Sequence, residues 1–270
     1  MLPPKTKSLM IANILCPIIC FSILAVLSIG QGDYNQIFRS TENRSLIAPA
    51  AFTFAIWGPI FLLLAVFLLH QLQALLKGSK LQSEMNFVNQ VSIYFVLSTI
   101  MTTLWYIAWL NRIIWLATIF MILYLISLVI GYLRLNINLV NRPKIEKWAV
   151  VAPWSMYTGW VTSATIVSVT TFLVSIGFNN PQSIISDVYW AVIVLLVALS
   201  IYSATVITRK DIIFGAVGIW TLIGILAEQY ATTNMINEVA ATSILGIIIL
   251  SSVIIYQAFK KVKMQIKTKS

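Results

Sequence analysis

The sequence predicts an all-α integral membrane protein with eight spans. Three observations carry that expectation. Hydrophobic residues make up 59% of the 270 residues and charged residues 10%, whereas an ordinary soluble domain carries about 25% charged residues. Apolar runs of about 20 residues, the length a helix needs to cross the hydrocarbon core, recur along the chain. Threading those runs through a bilayer gathers nearly all the basic residues on one side. A mean hydropathy of +0.90 excludes a soluble enzyme, a disordered chain and a nucleic-acid-binding domain, although the net charge is +10. In a membrane chain such a balance reflects topology.

The runs are 9–30, 49–75, 90–110, 113–134, 148–177, 185–207, 212–230 and 239–259. Backbone groups facing lipid must be satisfied within their own segment, so each run is helical. The first follows Lys5 and Lys7 and is longer than a signal-peptide core, with no clear small-x-small site after it. It reads as a retained span. Its Cys16 and Cys20 share a helical face, too far apart for an easy disulfide, and read as small packing residues. The second run places His70 near its cytoplasmic end, where an interfacial role is expected. Only Asn111 and Arg112 separate the third and fourth runs, which therefore form a tight helical hairpin. Pro17, Pro59 and Pro153 fall within spans and are expected to open a helix locally. Gly159, Ser163 and Ala164 in the fifth span, and Gly215, Gly218 and Gly224 in the seventh, permit close helix approach.

With eight spans, one side receives Lys5, Lys7, Lys77, Lys80, Arg134, Arg142, Lys144, Lys147, Arg209, Lys210 and the tail from Lys260 to Lys269. The other side holds Arg39, Arg44 and Arg112. The positive-inside rule then makes both termini cytoplasmic in a multi-pass protein of the cell membrane. The external loop 31–48 is long enough to fold over the mouth of a bundle or to serve as a plain connector. Basic residues of the tail anchor topology or meet anionic lipid. No internal repeat is visible.

Ionisable groups at membrane depth mark ion and proton pathways. Here Asp187, Asp211, Glu228 and Glu238 all sit at span ends or in loops. No Ser/His/Asp set, HExxH helix or paired intramembrane aspartate can be assembled, so neither an enzyme nor a metal or cofactor site is expected. Aromatic residues abound instead. Trp115 and Trp148 suit an interfacial belt, but Trp57 and Trp160 lie two turns or more inside their spans. Trp105 and Trp109 are four apart on one face. Such faces either line a cavity for a flat ligand or fill a bundle core.

Three segments, in order, resemble the TspO/translocator-protein family of tryptophan-rich sensory proteins. In PAAFTFAIWGPIF, Pro49, Trp57 and Phe61 keep the family's spacing. In TTLWYIAW, Trp105 matches and Thr102 stands where the family usually has asparagine. APWSMYTGWVTSAT is similar to the family's proline and aromatic segment, with Pro153 matching and Tyr157 and Trp160 at the two aromatic positions. The resemblance covers residues 9–178 and looks closest to longer members that append helices. Thr102, Gly58 and Tyr157 depart from residues that line the family's pocket.

The resemblance implies a five-helix TspO-like bundle over residues 1–178, a three-helix transmembrane extension over 179–260, and a basic cytoplasmic tail over 261–270. It also implies an aromatic cavity binding a porphyrin, haem or sterol-like molecule. The candidate ligand-binding residues are Trp57, Phe61, Thr102, Trp105, Trp109, Tyr157, Trp160 and Ala164. Arg39 and Arg44 are candidates for pairing with propionates, against a reading as solvated loop residues. The candidate partners are the lipid bilayer, the apolar ligand and a second copy of the chain. The first function class is a membrane receptor or sensor, with transport of its ligand left open. The alternative is a secondary transporter or channel for a small neutral solute. An enzyme using Trp57 as a redox residue and a purely structural role stand behind these.

Overall fold

A computed structural model describes residues 4–30, 44–77, 86–178 and 186–267. Arg39, Lys80 and most of the loop 31–48 lie outside the described residues, as do the side chains of the tail beyond residue 260. Among the described residues every regular element is helical. Seven helices are long and apolar enough to cross a membrane. They are Pro4–Ser28, Ala51–Leu76, Ile114–Arg134, Lys144–Ser175, Asp187–Arg209, Ile212–Ala231 and Asn237–Lys260. The expected third span is shorter: Tyr94–Leu110 has 17 residues, about 25 Å at 1.5 Å per residue against a core of about 30 Å. The break has a local cause. Ser92 takes a left-handed φ of 51°, which separates Asn86–Val91 from Tyr94–Leu110.

The helices are numbered α1 (Pro4–Ser28), α2 (Trp57–Lys77), α3 (Asn86–Val91), α4 (Tyr94–Leu110), α5 (Ile114–Arg134), α6 (Ala152–Ser175), α7 (Asp187–Arg209), α8 (Ile212–Ala231) and α9 (Asn237–Lys267). The expected openings at Pro59 and Pro153 take the form of changes in helix type. A 3-10 turn, Ala51–Ile56, runs directly into α2, and a π-helical stretch, Lys147–Val151, runs into α6. Each proline then falls in the first turn of an α-helix, where a missing N–H costs little.

Contacts divide the chain into two compact units. The first comprises Met1–Ser40 and Ile56–Ser168. Its α4 and α5 form the expected hairpin. Arg112 adopts a φ of 59°, its N–H donates to Trp109 O and that of Ile113 to Ala108 O, which is the Schellman pattern of helix ends. Helix α1 packs on α2, α3 and α4. It buries Asn13, whose Nδ2 donates to Gln71 Oε1 over 3.0 Å. Below α5, Arg142 is clamped between Glu146, Gln90 Oε1 at 2.9 Å and Leu135 O at 2.8 Å. Arg112 and Arg142 therefore shape the loops they occupy.

The second unit comprises Thr41–Ala55 and Val169–Ser270. Helices α7, α8 and α9 all pack on one another. Tyr202 lies against Gly218, where a Cβ would stand 2.7 Å from the ring, so the small residues do admit the close approach expected of them. Residues 44–55 run along α8. Arg44 pairs with the buried Glu228, Gln229 Nε2 donates to Leu46 O at 3.0 Å, Ala50 N–H donates to Gly224 O at 2.9 Å, and Trp220 Nε1 donates to Thr53 O at 2.7 Å. Phe52 meets the Trp220 ring edge-on at 5.6 Å.

Candidate functional site

The site is built from one residue outward. Trp57 opens α2, and its ring stacks on Phe61 one turn later, centroids 5.3 Å apart at 24°. Helix α6 presents two further rings to it edge-on, Tyr157 at 6.2 Å and Trp160 at 6.3 Å. Their three-residue spacing puts both on one helical face. Edge-to-face contacts set the positive rim of one ring against the negative face of another, contributing about 0.5–1.5 kcal/mol each beyond area burial. The group is graded in exposure. Trp160 and Tyr157 are buried, Trp57 is half-buried, and Phe61 is 44% exposed. Phe21 of α1 extends the series, edge-on to Phe61 at 5.3 Å.

Behind the rings lies a set of hydroxyls. Tyr124 of α5 donates to the Tyr157 hydroxyl, with ring centroids 5.6 Å apart. Thr102 of α4 lies beside the Tyr124 hydroxyl, and Ser98, one turn earlier on α4, lies beside that of Tyr157. The tyrosine pair thus meets its hydroxyl need across two helices, as buried polar groups require. Ser98 also donates to Phe95 O at 2.7 Å.

Of the eight candidate residues, the structure gathers Trp57, Phe61, Tyr157 and Trp160 into one ring cluster, with Thr102 beside Tyr124 behind it. Ala164 lies one turn beyond Trp160 on α6 and is half-buried. Trp105 and Trp109 pair with each other at 6.2 Å and pack around Ala108, Ala117 and Phe120 near the hairpin. Phe21, Ser98 and Tyr124 were not singled out from the sequence. Tyr124 carried one signal: a tyrosine in the middle of a span must find a partner for its hydroxyl.

Other candidates find different employment. Arg44 is engaged by Glu228. His70 is buried and stacks on Phe87 at 5.8 Å. Trp115 and Trp148 are exposed near span ends, as belt residues would be. Cys16 and Cys20 are unbridged, sulfurs 3.9 Å apart. Among the described residues no group of three or more histidine, cysteine, aspartate or glutamate residues is placed to hold a metal ion.

No curated protein and no solved structure matches this chain. One family model does match, described as TSPO-like protein, over residues 7–256. It spans both compact units and so reaches past the segments that carry the motifs. The chain belongs to the TSPO-like family of membrane proteins.

Proposed function

We propose that this TSPO-like protein is a membrane receptor or sensor that holds a flat or apolar ligand, a tetrapyrrole or a sterol-like molecule, against the aromatic cluster centred on Trp57. Transport of the same ligand extends the reading without changing the site. The observation that supports it is the convergence of Trp57, Phe61, Tyr157 and Trp160 from two helices onto each other's faces. Rings so arranged offer π-faces to a planar guest and remove apolar area from water at about 25 cal/mol per Å2. The chemistry offered is binding. The tyrosine pair behind the rings engages its own hydroxyls and supplies no base for ordinary catalysis.

The same reading takes Tyr94–Leu110 as an eighth span and puts both termini on the cytoplasmic side of the cell membrane. The test is titration of the purified full-length protein with protoporphyrin, haem and a sterol panel, followed by tryptophan quenching. Trp57→Ala and Trp160→Ala should each weaken binding by about 1–3 kcal/mol, roughly 5- to 150-fold in Kd. Unchanged affinity in both variants, with helix content intact, refutes the site.

A further inference from the structure

A helix that stops leaves its last carbonyls without partners of its own. Helix α3 stops at Val91, where Ser92 takes its left-handed φ, and α4 begins two residues later. One side chain takes the freed groups. Arg134, at the end of α5, donates from Nε to Gln90 O at 2.7 Å and from Nη2 to Asn89 O at 3.2 Å. Its guanidinium carbon lies 5.6 Å from the centre of the Tyr94 ring, just past the break. Two side-chain bonds add to this hold. Arg142 Nη2 donates to Gln90 Oε1 at 2.9 Å, and Thr6 Oγ1 of α1 donates to Asn89 Oδ1 at 3.1 Å.

The opposite face of α3 is apolar, and its Phe87, Val88 and Val91 are fully buried. Phe87 meets two side chains of α2, Phe67 at 5.9 Å and His70 at 5.8 Å. Phe67 in turn meets Phe95 at 5.1 Å and Trp154 at 6.3 Å. Trp154 precedes Tyr157 by three residues on α6, so this second group of rings adjoins the cluster around Trp57 along that helix. Phe67 and His70 lie about 15–20 Å along α2 from Trp57, at 1.5 Å per residue. Helix α3 therefore covers the far end of the ring series, where α2 finishes.

This cover is cheap to move. Six residues form a helix too short to persist without its neighbours, so its place depends on the polar ties and on three buried side chains. The two-residue break lets it turn without disturbing α4. Short elements that bury little apolar surface are the ones that open locally while the rest of a fold stays closed.

We propose that α3 is a gate at the inner end of the ring series, pivoting at Ser92 and clasped shut by Arg134 and Arg142. Closed, Phe87 seals the rings from the side on which α2 ends, which is cytoplasmic in the topology proposed above. Open, it joins that side to the rings. The inference rests on the proposed binding for what passes, a flat apolar ligand, and it gives transport of that ligand a stated exit. Lids that gate a site in this way change how fast a ligand comes and goes.

The experiment uses the full-length protein in lipid nanodiscs, with Cys16→Ala and Cys20→Ala making Val88→Cys the only thiol. Its reaction with a membrane-impermeant maleimide reports opening of α3. Arg134→Met removes the main-chain clasp, Gln90→Leu the tie to Arg142 and Thr6→Val the tie to α1. Labelling should accelerate by about tenfold or more in Arg134→Met, and by less in each of the other two. Ser127→Cys, buried on α5, should label no faster in the same three backgrounds. Stopped-flow tryptophan quenching should show protoporphyrin association and dissociation quickening together in Arg134→Met, with Kd within about twofold of the parent. A gate lowers the barrier common to entry and exit and leaves the bound state as it was.

Unchanged labelling of Val88→Cys in all three variants would overturn the clasp and the gate with it. Equal acceleration at Ser127→Cys would do the same, by showing a general loosening. Faster labelling with unmoved protoporphyrin rates, in a protein whose Trp57→Ala variant has lost affinity, would overturn the gate and leave a hinged cover. Faster labelling in a protein whose Trp57→Ala variant binds protoporphyrin normally would uphold the movement of α3 and refute the ligand reading instead.

Discussion

The hydroxyl of Tyr124 on α5 donates to that of Tyr157 on α6, and neither tyrosine exposes more than a few per cent of its surface. Thr102 and Ser98 flank the pair from α4. Removing one hydroxyl leaves the other short of a partner in an apolar interior. Tyr124→Phe and Tyr157→Phe should each cost about 1–3 kcal/mol of stability. The double variant should cost less than the two added together, because the second change removes the group that the first left unpaired. Thermal unfolding of the purified variants measures this. Strict additivity would show that the pair is not coupled.

A second expectation concerns Gly131 and Trp154. A Cβ on Gly131 would lie 2.4 Å from the indole ring, which is packed on backbone with 1% of its surface exposed. The ring also meets Phe67 and Phe95 and has no free direction in which to retreat. Gly131→Ala should therefore destabilise the fold by about 1–3 kcal/mol. Recovery in Gly131→Ala/Trp154→Leu would locate the clash. A thermal midpoint equal to the parent's in Gly131→Ala would refute the close approach.

The turn between α7 and α8 gives two effects of opposite sign. Lys210 is exposed and held at a φ of 54°, a left-handed conformation that side chains disfavour. Lys210→Gly should stabilise by about 0.5–1 kcal/mol. The neighbouring Asp211 is buried and its Oδ1 accepts from Phe214 N–H at 3.1 Å, capping α8. Asp211→Ala should destabilise by about 0.5–2 kcal/mol. Midpoints moving in the same direction would contradict one assignment.

The topology reading is tested without purification. Reporter fusions after Lys269 and within the loop 31–48 should report opposite sides of the membrane, with the terminus cytoplasmic. Both on one side would remove one span from the count, and Tyr94–Leu110 is the helix short enough to be the one lost.

What the sequence disclosed follows from what periodicity encodes. Spacings of three and four placed Trp57 with Phe61 and Tyr157 with Trp160 on shared faces, and those faces do meet. The same rule paired Trp105 with Trp109 correctly, yet it says nothing of which neighbour a face turns towards, and that pair packs at the hairpin. The hairpin itself was legible because only two polar residues separate two apolar runs. The hold of α8 on residues 44–55 was not. Three of its bonds use the main-chain groups of Leu46, Ala50 and Thr53, which carry no signature in the residue type. Ser92 hid the break before α4 in the same way, since serine rarely takes positive φ.

The outward 44% of Phe61 has a consequence for how affinity should be measured. On the binding proposed above, a guest that reaches the outer end of the ring series from the membrane arrives dissolved in lipid. Its effective concentration is then a mole fraction in the bilayer, set by how strongly it partitions out of the aqueous phase. Raising the lipid-to-protein ratio at fixed total ligand would dilute the guest and lower occupancy, with no change in the protein. Ligands ranked by aqueous Kd would be ordered largely by their lipophilicity, and the selectivity of the rings would emerge only after the partition coefficient is divided out.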